Sequence, residues 1–191
     1  RLSRRPLTSK NQAGKDRDKL TPMPTYTKSR PKPRKGIKKI RVKPIYNTAV
    51  LAWESSPLTE RSLNIPRGRN TNITGDINLG LGAMENIDFQ HYFRDIVFSS
   101  LIWRPDPFSR SPHLERAIID AEIIIKNISY GLFALEVTHD PRKNTTSYKQ
   151  RNVMTKIKWG DARYLVAKRD LLGRTLKLYK KYRNNFVIII N

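Results

Sequence analysis

The chain has 191 residues, with 38 Lys and Arg against 16 Asp and Glu, giving a formal net charge of +22 and a pI near 10.6. No Cys is present, which excludes disulfide scaffolds, Cys-ligated zinc sites and thiol catalysis. No stretch approaches the ~18 consecutive apolar residues of a membrane-spanning helix, and the length suits one domain plus appendages at ~100–200 residues per domain.

The charge is segregated along the chain. Residues 1–43 hold sixteen basic and two acidic side chains, residues 44–141 eight and twelve, and residues 142–191 fourteen and two. The first block has no helical or strand period, carries six Pro by Pro44 and has few large apolar side chains. It cannot bury enough apolar surface to offset its ordering entropy, so alone it is expected to be a disordered or extended basic arm. Its densest run is KSRPKPRKGIKKIRVKP, Lys28 to Pro44. There Arg30, Arg34 and Arg41 can fork onto phosphates or stack on bases, while Lys32, Lys35, Lys38, Lys39 and Lys43 act as point charges. The start at Arg1 rather than Met hints at a processed N-terminus.

The remainder, 44–191, reads as one small domain. Tyr46–Trp53 is short, apolar and strand-like, and 55–82 is a long loop rich in Ser, Pro, Asn, Gly and Arg. In that loop Arg67 and Arg69 flank Gly68 and suit a contact with a phosphate backbone. Met84–Trp103 predicts a helix with Phe89, Tyr92, Phe93, Ile96 and Trp103 on one face and Phe98 and Ile102 opposite. Ser111 reads as an N-cap with Pro112 at the first helical position, opening a helix to about Lys126 whose stripe is Leu114, Ile118, Ala121 and Ile125. Ile128–Thr138 and Val153–Trp159 alternate like strands, joined by a polar loop over 140–152. Gly160 breaks the second strand, and Asp161 caps a predicted helix, Ala162–Tyr182. That helix would bear Leu165, Leu172, Leu176 and Tyr179 on one face and Arg163, Arg174, Lys177 and Lys181 on the other. Phe186–Ile190 closes the chain as a strand apolar throughout, which suits a central strand covered on both sides.

With one helix counted as an insertion, this order predicts an α+β fold, a ferredoxin-like split βαβ sandwich with an antiparallel sheet and helices on one face. Such a fold decides no function. A sheet of the RNA-recognition type needs a basic, Gly-containing, aromatic-rich strand, and Val153–Trp159 supplies only Trp159, Lys156 and Lys158.

Catalytic features are sparse. Gly80-Leu-Gly82 lacks the third glycine and the Lys-Ser/Thr of a phosphate-cradling loop and reads as a plain turn. His91 lies near Asp88 and Asp95 in sequence and reads as a salt-bridged surface histidine rather than a general base; His113 and His139 take the same reading. Asp120 and Glu122, two apart, would not share a helix face and so would not make a paired-carboxylate site. Asn-x-Ser/Thr matches at Asn72, Asn127 and Asn144 read as chance in an Asn- and Thr-rich chain. No cofactor, metal or small-molecule substrate is indicated.

Electrostatics therefore carries the reading. Binding a phosphate backbone releases condensed counterions, and each neutralised phosphate steepens the salt dependence by ~0.9 on duplexes and ~0.7 on single strands. The arm, Arg67 and Arg69, and the face of Arg174, Lys177 and Lys181 form the expected RNA-binding set.

A Pro-punctuated basic arm ahead of a small α+β body, with a second basic patch at the end, resembles ribosomal proteins, which thread tails between rRNA helices. The bias toward Ile, Asn and Lys, the processed-looking start and the absence of Cys point to an organellar, mitochondrial member. The resemblance rests on layout and composition and implies rRNA as partner, with neighbouring ribosomal proteins meeting the acidic middle. The alternatives are a small RNA-processing or RNA-modifying enzyme, another nucleic-acid-binding protein, or a peripheral membrane binder. The membrane version lacks an amphipathic helix with interleaved aromatics.

Overall fold

Strands build this protein, at 36% strand against 15% helix. The computed structural model describes residues 49–66, 74–105, 107 and 109–191, together with the backbone of 40–41. All of them belong to one unit, Gly36–Asn191. The strands are β1 (Ile40–Arg41), β2 (Val50–Glu54), β3 (Asp76–Asn78), β4 (Arg104–Pro105), β5 (Glu115–Ile125), β6 (Ile128–His139), β7 (Thr155–Lys158), β8 (Leu176–Lys180) and β9 (Asn185–Ile190). Two single-turn helices, α1 (Thr146–Lys149) and α2 (Arg163–Val166), a π-helical turn at Phe93–Val97 and two 3-10 turns complete the regular structure among the described residues.

Seven strands form a curled, mixed half-barrel in the order β2-β8-β9-β5-β6-β7-β3, with β1 on β6 and β4 on β5. The expected ferredoxin-like sandwich is thereby overturned, since no layer of helices covers one face of the sheet among the described residues. All neighbours pair antiparallel except β5 and β9, which run parallel from Asp120↔Asn185 to Ile125↔Ile190. Register shifts between Leu51 and Trp53 in β2, and between Glu122 and Ile124 in β5, sharpen the local twist as bulges do.

The predicted helix over 112–126 is instead the eleven-residue strand β5. Its Ile118, Ile119, Ile123, Ile124 and Ile125 are β-branched and favour an extended backbone. Burial follows a period of two through Ala117, Ile119, Ala121 and Ile123. Lys126 and Asn127, with φ of 50° and 62°, form the two-residue turn into β6. Positive φ at both central residues is the requirement of a type I′ hairpin.

Helix 84–103 reduces to the π-helical turn, because Phe93, Val97 and Phe98 are all buried and the apolar side chains do not keep to one stripe. The segment wraps the sheet, held by the Tyr92 hydroxyl donating to the Ala52 carbonyl at 2.9 Å. Helix 162–182 shrinks to α2: Gly173 turns the chain at φ 75°, and Leu176 and Leu178 then alternate inward as β8.

The strand expectations fare better. β6 carries Leu135 and Val137 into the core with Phe133 beside them, and β7 carries Thr155 and Ile157. β9 is central, as expected: Phe186, Ile188 and Ile190 join the main core, while Val187 and Ile189 form a second small cluster with Ile124 on the other face. That main core holds Trp53, Phe93, Phe98 and Trp159, with the Phe98 and Phe186 rings 5.2 Å apart.

Gly80 and Gly82 serve packing. The Trp53 indole donates to the Gly80 carbonyl at 2.9 Å, and Gly82, at φ 64°, lies against the Glu54 carbonyl with no room for a Cβ. Within 55–82, the predicted loop, β3 forms, and buried Asn64 ties it down by donating to the Asp76 carbonyl at 3.0 Å and accepting from the Gly75 N–H at 2.7 Å.

Candidate nucleic-acid interface

Most of the cations singled out in the sequence, Arg30, Lys32, Arg34, Lys35, Lys38, Lys39, Lys43, Arg67 and Arg69, lie outside the described residues. Arg41 is placed by its backbone alone, in β1 opposite Ile128. Arg174, Lys177 and Lys181 do not share a helical face. Arg174 lies in the turn before β8 and donates to the Asp170 carbonyl at 3.1 Å, Lys177 belongs to β8, and Lys181 follows it directly.

Lys177 and Lys181 are already engaged. Strand pairing sets Glu54 opposite Lys177, and the ion pair measures 3.3 Å; Lys181 reaches Glu122 at 3.4 Å. The same pattern crosses the sheet face that points away from the main core. Glu136 accepts from Arg116 at 2.7 Å and from Lys158, and Lys156 stands 4.0 Å from Asp76. At the margin, Arg169 pairs with Glu60 at 3.0 Å. Burial alone would push the Glu136 carboxyl up, but its hydrogen bonds and charges from Lys158 and Arg116 hold it below the usual range. Carboxylates of the acidic middle thus neutralise cations of the basic end across strand pairs, so blocks far apart in sequence are interleaved in space.

Other cations have no carboxylate partner among the described residues, including Arg104, Arg163, Arg174, Lys180 and Arg183. Arg183 lies with its guanidinium 5.0 Å from the Tyr182 ring centroid.

The histidines are held locally. His91 bonds Asp88 through Nδ1 at 2.7 Å and the Tyr148 hydroxyl through Nε2 at 3.1 Å, and the hydrogen bond from His91 holds the Asp88 carboxyl below its ordinary value. His139, expected at the surface, is buried in β6 with Nδ1 2.9 Å from the Thr155 hydroxyl, and burial pushes its pKa down. His113 precedes β5 rather than opening a helix and stands 3.8 Å from Asp140. Asp120 and Glu122 do share a face, because the segment is a strand with period two. Each is engaged separately: Asp120 accepts from Asn184 at 2.7 Å, and Glu122 from Ser129 at 2.9 Å. No group of three or more His, Asp or Glu side chains able to hold a metal occurs among the described residues.

Two hollows open beside the turn that joins β8 to β9. The larger, about 720 Å³, is lined by Ile102, Arg104, Arg116, Ile118 and Arg183 among others. The second, about 600 Å³, is lined by Glu122, Gly131, Leu132, Lys181 and Tyr182 with Asn185 and Phe186. The bulge in the β5–β6 pairing, with Gly131 at φ 90°, shapes the second hollow. Reading the sequence did not single out Arg104, Tyr182 or Arg183, and it placed Ile118 in the apolar stripe of a helix. The available signal was the run Lys180-Lys181-Tyr182-Arg183-Asn184-Asn185, basic with an interleaved aromatic just ahead of an apolar strand. No protein-family model, curated protein or solved structure matches this chain.

Proposed function

We propose that the protein is a structural RNA-binding component of a ribonucleoprotein particle, by the layout of its sequence a mitochondrial ribosome, and that it holds phosphate backbone with no catalytic step. The observation that carries this reading is the uncompensated charge. A net of +22 resides on 191 residues, and in the body Glu54, Glu122 and Glu136 are spent on ion pairs across the sheet. The surplus therefore falls on the first block and on surface side chains such as Arg104, Arg163 and Arg183. Such a distribution favours a polyanion through counterion release, independent of its sequence. Arginines also suit RNA because their planar fork matches phosphate geometry.

Co-sedimentation tests the proposal. The full chain, expressed with a tag in cells, is expected to travel with ribosomal particles and remain on them through moderate salt. A chain found mainly free, or floating with anionic vesicles, would contradict it.

A further inference from the structure

We infer that the sheet face around the β8–β9 turn is a platform for unpaired RNA, with bases seated in the two hollows and phosphates held by Arg104 and Arg183. This rests on the RNA-binding reading and deepens it, because it assigns to the body a preference for single-stranded over duplex RNA.

Ile102 is 75% exposed, Ile118 52%, Leu132 71% and Tyr182 67%. All four line the two hollows, so large apolar side chains that folding usually hides are gathered at one turn. β5 places Ile118 on the face away from the main core, and the pairing Glu122↔Leu132 sets Leu132 on the same face. At about 720 and 600 Å³, both hollows fall within the ~300–1,000 Å³ of small-ligand sites.

Charge then selects the occupant. The carboxylates that line the hollows are Glu136 and Glu122, and both are neutralised by cations. Arg104 and Arg183 have no carboxylate partner among the described residues. An apolar floor under a cationic rim fits a molecule that is flat and uncharged on one side and anionic on the other, which describes a nucleotide freed from its stack. Between the hollows stand Tyr182 and Arg183, an exposed ring with a guanidinium beside it. Unstacked bases are received on aromatic rings and on Arg planes, and every base has a face that can stack. Duplex RNA offers no such face, because its bases are stacked and its deep groove is too narrow for side chains. The backbone agrees: Arg183 sits at φ 54° and Asn185 N–H donates to the Tyr182 carbonyl at 3.0 Å. A left-handed non-glycine residue at the tip of a tight turn is strained, and strain of this kind gathers at binding sites.

The test compares a perfect RNA duplex with an unstructured single strand of equal length, using the full chain and its Tyr182→Ala, Tyr182→Phe and Ile118→Glu variants. Both altered positions are exposed, and each variant's melt is checked against the parent. The full chain is expected to favour the single strand. Tyr182→Ala should weaken single-strand binding by about 5- to 150-fold, the range for loss of one stacked base, and leave duplex affinity within about twofold. Tyr182→Phe should retain the preference. Equal binding of both RNAs by the full chain, or a preference that survives Tyr182→Ala and Ile118→Glu, overturns the platform while the RNA-binding reading stands; the face would then belong to a protein partner or a second copy. Failure to bind either RNA at low salt would instead overturn the underlying reading.

Discussion

Glu54 and Glu122 are expected to act as internal competitors of RNA. Their carboxylates lie 3.3 and 3.4 Å from the ammonium groups of Lys177 and Lys181. Replacing both with Gln leaves side-chain size nearly unchanged and frees two lysines on one sheet face. If both then meet phosphate, the slope of log affinity against log salt steepens by about 1.8 on duplex RNA and about 1.4 on a single strand. The complementary pair, Lys177→Gln with Lys181→Gln, should alter the slope far less, because those charges are already neutralised. Partly exposed cross-strand ion pairs contribute ~0–1 kcal/mol each, so the Glu variants should lose no more than about 2 kcal/mol and stay folded. Fluorescence anisotropy between about 50 and 200 mM salt, where phosphate contacts change affinity most visibly, reads the result. An unchanged slope in the Glu54→Gln, Glu122→Gln protein, with its melt intact, would refute the idea that this face meets RNA.

Two further predictions concern the scaffold. His139 is buried and burial depresses its pKa below 6.5. The unfolded chain therefore takes up a proton at higher pH than the folded one, and stability is full above about 6.5 and falls as pH drops below it. The thermal melt of the parent should decline as pH falls from about 6.5 to about 5.5, and His139→Gln should flatten that decline; an identical pH profile in both proteins would contradict the assignment. Gly82→Ala should destabilise by more than the ~1–2 kcal/mol of a left-handed backbone alone, because the new Cβ would also meet the Glu54 carbonyl. A chemical melt that moved by less would show that the turn relaxes freely.

How much of this was legible depends on which physical signal each segment carries. β6, β7 and β9 were readable because alternation, or an unbroken apolar run, has no helical counterpart at that length. β5 was misread because Leu114, Ile118, Ala121 and Ile125 fall at helical spacing while Ala117, Ile119, Ala121 and Ile123 fall at strand spacing. The β-branched crowding was the deciding cue, and only pairing with β6 and β9 on either side made it decisive. In 162–182 the cue was Gly173, which a continuous helix would have to accommodate at a cost of ~1 kcal/mol relative to Ala. The π-helical segment had no sequence signal, since its shape follows from Phe93 and Phe98 both entering the core.

The candidate interface was legible as a surplus of cations and illegible as a surface. Whether Lys177 is available depends on Glu54, 123 positions away in sequence, and their meeting is a matter of strand register. The platform residues escaped notice for the opposite reason. Ile118 and Leu132 look like core residues by type, and only their outward side of the strand reveals that they are not.

The most direct measurement of the central claim is the salt dependence of RNA affinity for the full chain beside a chain lacking residues 1–35, which retains the unit Gly36–Asn191. The account predicts a steep linear fall of log affinity with log salt for the full chain, little dependence on RNA sequence, and a clearly shallower slope after the truncation. Affinity that is flat in salt, or a slope that does not change when those residues are removed, would contradict it.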